Sequence, residues 1–440
     1  VMDVSLLAER VPHMNAYRHF GRVVRVTGLM IESIGPRAAI GELCTIESGR
    51  GANPVMAEVV GFREERVLLM PYDPVDDLSP GSLVSSTGAP LKISAGTGLI
   101  GKVTDGLGRP LEPGTSFTGL QQVPADAPPP SPLDRPRITE PLGIGVKAID
   151  AFLTVGKGQR MGIFAGSGVG KSTMMAMIAR HSETDVIVIG LIGERGREVK
   201  DFLERDLGEE GRKKAIIVAA TSDQPALTRI KGAMTATAFA EYFRDLGMNV
   251  LLMMDSVTRF AMAQREIGLA IGEPPATKGY TPSVFARLPR LLERSGTNPD
   301  GSITAFYTVL VDGDDLNDPI ADAVRGILDG HLVLDRKLAN KGQFPAVNVL
   351  KSVSRVMNDI ASSEHLEAAA AARNLTAVYE ESEDLISIGA YKRGSNKEVD
   401  RAIAMQKELV SFIRQDKEGG KPSAQSVRQL IELMAEGGGE

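Results

Sequence analysis

The stretch Ala165-Gly-Ser-Gly-Val-Gly-Lys-Ser-Thr173 follows the strand-like run Arg160–Phe164 and opens a helix-like run, Lys171–Arg180. A glycine-rich loop between strand and helix that ends in Gly-Lys-Ser is the phosphate-loop pattern G-x-x-x-x-G-K-[ST] in the context it requires. Its first position holds Ala165 in place of glycine. Glycines let backbone N–H groups turn inward around phosphate oxygens. Gly166, Ser167, Gly168, Val169 and Gly170 are therefore the candidate cradle, continued by Lys171, Ser172 and Thr173. Lys171 places a cation on the β- and γ-phosphates and Ser172 offers a hydroxyl to Mg²⁺. The helix N-terminus adds its partial positive charge. Met174, Met175, Met177 and Ile178 recur at helical spacing and read as core.

Outward from this loop, strand-like and helix-like segments alternate. The strand candidates are Arg160–Phe164, Val186–Ile189, Ala215–Val218, Asn249–Met254 and Ile303–Leu310. Lys171–Arg180, Arg197–Leu207 and Leu227–Leu246 have helix length. This alternation predicts an α/β fold with a mainly parallel sheet and helices on its faces. Val250-Leu-Leu-Met-Met-Asp255 reads as a buried strand delivering Asp255 to the C-terminal edge, where α/β sheets bind ligands. Beside a phosphate loop, such an acid holds Mg²⁺ through water; the plain alternative is a helix cap. Glu194, in Gly193-Glu-Arg-Gly-Arg-Glu198, follows the neighbouring strand. It can orient an attacking water, or belong to a solvated helix start. Ser352-Val-Ser-Arg355 and Phe344-Pro345 say little alone: a surface arginine, and a turn with a packed aromatic.

The 440 residues suggest two to four domains. With 50 Lys+Arg against 56 Asp+Glu, the net charge is −6. That disfavours a general electrostatic grip on nucleic acid, so no nucleic-acid partner is expected. Cys44 is the one cysteine, which excludes an intrachain disulfide and a Cys-rich zinc site. No apolar run approaches the ~20 residues of a spanning helix, and there is no signal pattern; the reading is cytoplasmic, with membrane contact peripheral.

The flanks differ in texture. Residues 1–19 suggest a short helix, with Leu7, Val11 and Met14 on one face, either packed on its own domain or binding a partner. Short β-rich runs between Gly21 and Gly88 (Arg22–Val26, Leu43–Ile46, Met56–Phe62, Arg66–Leu69) suggest a small barrel or sandwich. A connecting region follows, containing Gly101–Pro110 and the proline-rich PADAPPPSPLDRP from Pro124 to Pro136. From Val356 the pattern is helical. Val399, Ile403, Leu409, Val410 and Ile413 form one face; Val427, Leu430, Ile431 and Met434 form another, with Ser423 as N-cap.

Taken in order, GSGVGKST, GERGREV, MMDSVTRF, GYTPSVF, DGDDLNDP and FPAVNVLKSVSR resemble the hexameric ATPases related to catalytic subunits of rotary ATP synthases. The stretch PSPLDRPRITEPLGIGVKAIDAFLTVGKGQRMGIFAGSGVGKST is closer still to the ATPases of type III protein export, and the flagellum-specific branch is the reading adopted. The resemblance spans roughly residues 20 to 435. It implies a β-barrel over 20–90, a RecA-like nucleotide domain over 91–345, and a helical domain over 346–440, with 1–19 as a partner-binding helix.

The same resemblance assigns roles. Glu194 matches the acid that positions the hydrolytic water, and Arg195 the arginine beside it near the γ-phosphate. Lys171 and Ser172 match the phosphate-loop lysine and the magnesium ligand. Asp255 matches the Walker-B acid, with Arg259 in the downstream arginine position. Phe344 matches the aromatic on the adenine, and Tyr391, in SIGAYKRG, a second adenine-side contact. Arg355 matches an arginine finger reaching the γ-phosphate of the neighbouring subunit, and Tyr280 the loop facing the central shaft. Glu194 and Arg355 lie on one chain, so identical chains could complete every site of a homohexamer. The implied ligands are ATP and Mg²⁺. The implied partners are a regulator on the N-terminal helix, a coiled-coil stalk, the export gate and substrate–chaperone complexes, at the inner face of a bacterial membrane. The alternatives are the injectisome branch, a rotary-enzyme subunit, a RecA-type nucleic-acid motor and a non-catalytic nucleotide-binding subunit.

Overall fold

The computed structural model describes residues 19–48, 53–75, 78–115, 117–311, 313 and 315–436. The expected N-terminal helix, with Leu7, Val11 and Met14, lies outside the described residues, as do Asp312 and Asp314 of DGDDLNDP. The chain forms two compact units. One runs to Lys92 and includes Ile267–Glu273; the other takes Ile93–Glu266 and everything from Pro274.

In the first unit, Phe20–Thr27, Met30–Ile34, Glu42–Ile46, Val55–Arg63, Arg66–Pro71 and Leu83–Pro90 close into an antiparallel barrel. The sandwich alternative therefore falls. Alternate side chains point inward, and Val23, Ile31, Cys44, Ile46, Val59, Leu69 and Val84 fill the interior. The barrel is tight at Gly21, where a Cβ would lie 2.0 Å from the Gly35 carbonyl oxygen. Two of its strands are not foreseen above. Met30–Ile34 hides Glu32 and Ser33 in its buried pattern, and Glu32 is matched by Arg66 at 2.5 Å. Leu83–Pro90 is polar, and Ser85 meets Thr45 hydroxyl to hydroxyl at 2.7 Å. Burial first, then the Glu42 charge, push the Cys44 thiol up to about 11, far from a reactive thiolate.

The second unit is built on a nine-stranded sheet. From one edge it runs Val353–Ser354, Gly330–Leu334, Arg160–Ala165, Ser302–Leu310, Asn249–Asp255, Val186–Ile192, Ala215–Ala220, Val103–Asp105. Six of the seven pairings along this path are parallel. Val353–Ser354 and the short Gly296–Thr297 pair antiparallel. Every residue of Val186–Ile192 and Ala215–Ala220 is buried, as expected for strands covered on both faces. Helix Ala226–Arg244 covers one face and is itself buried almost all round.

Several boundaries move. Val103–Asp105 is not connector but a parallel edge strand, and Asp105 turns the chain by accepting from the Leu107 and Arg109 N–H groups at 2.9 and 2.8 Å. Arg197–Leu207 is helical but not α throughout: Gly196–Asp201 is α-helical, Phe202–Leu207 continues as a π-helix and Gly208–Arg212 is α again. The C-terminal helices are Ser363–Ser387, Lys397–Ile413 and Ser423–Glu436. Ile403 leaves the expected apolar face and is exposed; Ala402, Met405 and Phe412 take the buried positions. Ser423 is inside its helix rather than capping it, because the Ser426 N–H bonds back to the Pro422 carbonyl at 3.3 Å.

At the base of this unit Arg294, 1% exposed, is held by both oxygens of Glu241 at 2.9 and 2.6 Å and by the Ala125 carbonyl at 3.0 Å. Removing one partner of such a pair strands a buried charge. Glu241→Ala should therefore cost about 3–5 kcal/mol in urea unfolding; a loss below about 1 kcal/mol would mean the guanidinium finds water instead.

Candidate active site

Strand register builds the site. Ala165 is level with Leu310 and Leu334, Met254 with Tyr307, and Leu191 with Asp255. The strand carrying the loop, the one ending in Asp255 and the one leading to Glu194 thus finish at the same edge. Gly168 and Gly170 adopt φ of 76° and 90°, the left-handed region that glycine enters without strain, and the helix Lys171–His181 starts at once. A cavity of about 440 Å³ opens here. It is lined by the loop together with Glu194, Arg195, Glu198, Asp255 and Arg259. Val169 is the exception in the loop: its side chain is buried in the core, leaving only its backbone to face a ligand.

Lys171 stands between two carboxylates. Its ammonium contacts Asp255 Oδ1 and lies 3.6 Å from Glu194 Oε1. Asp255 Oδ1 also accepts the Thr308 hydroxyl at 2.6 Å, which fixes the carboxylate against the adjacent strand. Glu194 Oε1 is buried and accepts no hydrogen bond; an acceptor left open in a cleft is matched to something that enters it. Desolvation first, then the Asp255 charge, push the Glu194 carboxyl up to about 7. Lys171 opposes this, and a hydrogen bond with Glu198 adds to it. Glu198 moves the opposite way, chiefly through that same hydrogen bond. Glu198 also accepts from Arg195 Nη1 at 3.2 Å. The sequence reading missed Glu198; its i, i+4 spacing from Glu194 was the available signal.

Among the described residues no three His, Cys, Asp or Glu side chains gather as a metal cage. Mg²⁺ does not need one, since it completes its shell with phosphate oxygens and water. The exposed Ser172 hydroxyl and the Asp255 carboxylate line the same cavity and fit that donor set.

The other anticipated residues divide. Arg259 lines the cavity and packs against Gly193, where a Cβ would stand 2.7 Å from the arginine Cβ. The Phe344 ring lies 3.5 Å from where a Gly170 Cβ would be and is half exposed, a stacking face beside the loop. The Tyr391 hydroxyl is taken up locally, 2.9 Å from the Asn396 carbonyl and 3.1 Å from Asp400 Oδ1, and the residue is not in the cavity wall. Tyr280 is buried, with the Arg265 guanidinium over its ring at 5.2 Å. Arg355 is exposed and lies outside the cavity. Ser354 pairs with Gly330, which is level with Met161. That places Arg355 at the far end of the loop's own strand.

Residues 145–354 match the nucleotide-binding domain of the ATP synthase alpha/beta family and residues 23–88 its beta-barrel domain. The chain belongs to that family. Residues 361–432 match the T3SS EscN ATPase C-terminal domain. The flagellum-specific ATP synthase of Bacillus subtilis (strain 168) is 60% identical over 433 residues, 98% of this chain and 99% of its own length. The assembled ATPase EscN from the enteropathogenic E. coli type III secretion system superposes with a TM-score of 0.88 at 46% identity, covering 94% of this chain and 100% of its own. The same ATPase in complex with its central stalk EscO gives 0.87 at 46% identity over the same shares. The barrel, the mainly parallel sheet and the helical C-terminal region follow this family's order.

The raised Glu194 carboxyl has a stability signature. Between about pH 4.5 and 7 the folded chain holds a proton that the unfolded chain has released, so this contribution to stability is lost as pH rises through 7. Glu194→Gln should unfold at higher urea than the parent at pH 8, and the gap should close towards pH 5. An equal gap at both values would show that the carboxyl is ionised throughout.

Proposed function

We propose that this chain is the ATPase of flagellar type III protein export, working as a homohexamer whose nucleotide sites each draw groups from two chains. One observation carries the shared site. Arg355 is level with the start of the strand Arg160–Ala165 and the phosphate loop follows its end. Five residues at ~3.3 Å each put roughly 16 Å between them, beyond the reach of an arginine side chain. That distance supports the reading in which Arg355 serves the site of a neighbouring copy. The assembled form of EscN and its complex with a central stalk support a ring and a stalk partner here.

Phosphoryl transfer needs positioning and charge neutralisation more than covalent chemistry. The loop N–H groups and Lys171 hold the phosphates, and Phe344 presents its face to the base. Ser172 and Asp255 would hold Mg²⁺, which when bound would supply charge neutralisation to the phosphates. Glu194, ionised, accepts a proton of the attacking water and aligns it; Arg195 and Arg259 flank the developing charge. Arg355 of the adjacent chain completes the site, a contribution typically worth ~10³–10⁵ in rate in other nucleotide hydrolases.

Release and unfolding of chaperoned substrates at the export gate, regulation through residues 1–19, and peripheral attachment to the inner membrane face complete the proposal. No described helix is long and apolar enough to cross a membrane. Tyr391 as a base contact is not retained, given its local bonds. Injectisome secretion is the second reading, favoured by the EscN likeness. Expression in a Bacillus subtilis strain lacking its 60%-identical relative separates the two: restored motility supports flagellar export, and secretion without motility supports the injectisome.

Activity per chain should rise steeply with protein concentration, while Arg355→Ala should bind nucleotide normally and stay flat, about 10³-fold below the parent. Glu194→Gln should bind ATP and not turn it over. Concentration-independent activity in the parent would place every catalytic group on one chain.

A further inference from the structure

Arg355 is exposed, and its guanidinium is tethered only loosely, with Nη2 3.4 Å from the Arg325 carbonyl. Its backbone is held differently. Ser354 pairs with Gly330 and Val353 with His331, and the Arg355 N–H donates to the Asp329 carbonyl at 3.0 Å. Behind this arm sits Gln159, with no exposed surface. Its amide nitrogen lies 3.1 Å from Ser354 Oγ and 3.2 Å from the Asp329 carbonyl. Its amide oxygen accepts the Gly156 N–H at 2.9 Å. Ser354 Oγ then donates to the Thr154 carbonyl at 2.8 Å. Every polar atom of one buried side chain is thus committed to the backbone turn before the loop's strand, to Ser354 beside Arg355, and to the Asp329 carbonyl that accepts the Arg355 N–H.

We propose that Gln159, acting with Ser354, is a positioning residue for Arg355: it fixes the arm that one subunit extends into its neighbour's nucleotide site. The proposal rests on the reading of Arg355 as a group supplied between chains. Gln159 takes no part in its own chain's cavity, whose walls are the loop and the strand ends at the opposite edge. Its energetic role is geometric. Positioning errors of about 1 Å cost ~10²-fold in rate when a catalytic group must meet a developing charge. A buried amide with all its bonds made resists such displacement, because moving it leaves a polar group unsatisfied.

The test is subunit mixing with full-length chains. Gln159→Met should keep the parent's ATP affinity and lower ATPase activity about 10–100-fold. Mixed with Glu194→Gln chains, which have a dead site and an intact arm, it should regain activity, since its intact sites then receive well-placed arginines. A purely structural defect in Gln159→Met would not be repaired by mixing. No recovery, or lost nucleotide binding by Gln159→Met alone, overturns the proposal. If Gln159→Met does not fold, Ser354→Ala decides. A partial loss that mixing repairs supports the positioning role, and unchanged activity or an unrepaired loss removes it. Arg355→Ala mixed with Glu194→Gln is the control: failure of that pair to recover defeats the shared-site reading itself, whatever Gln159 does.

Discussion

A strand hydrogen-bonded in parallel to two neighbours ends where they end, and Arg160–Ala165 is held this way by Ser302–Leu310 and Gly330–Leu334. From that pairing follows the position of the phosphate loop, which starts as the strand stops. Asn249–Asp255 and Val186–Ile192 extend the same alignment and set Asp255 and Glu194 beside it. Two carboxylates brought this close repel unless a cation lies between them, and Lys171 occupies that place. Opposing charges in a partly buried cleft have few acceptable arrangements, so sheet register and site electrostatics constrain one another.

Much of this was legible in the residues. Glycines at 168 and 170 announce the loop because no other residue turns that backbone cheaply, and an apolar run closed by Asp255 announces a central strand. What was hidden had a physical reason. Val103–Asp105 is too short for a periodic signal, and its strand character comes from pairing with Ala215–Ala220. Met30–Ile34 buries a glutamate whose partner, Arg66, is distant in sequence. The Phe344 ring reaches Gly170 only through the folded chain, and the position of Arg355 follows from a two-residue edge strand. Neither is readable from local pattern. Ile403 misled because hydrophobicity marks a helix face only when something packs on it.

The two ends of the central sheet are built to different rules. At the loop end, burial and an acidic neighbour raise the Glu194 carboxyl, and one of its oxygens accepts no hydrogen bond. Such features weaken a fold while arming a site. At the opposite end, Arg160 is gripped by Asp329 through two side-chain bonds of 2.9 Å and ion-paired with Glu293 at 2.6 Å. Those residues take no part in the cavity and hold the strand that carries the loop. Rigid bonding there keeps the sheet in register while the loop end carries the buried charge cluster of Lys171, Asp255 and Glu194.

The barrel interior keeps the chain's single sulfhydryl, Cys44, sealed and protonated. A thiol in that condition is slow to react with maleimides or with an oxidant. Any surface position changed to cysteine is therefore chemically unique without further engineering. A fluorophore or spin label placed on the helical region and another on the nucleotide unit would report distances from the wild-type background, with no need to strip a native sulfur first.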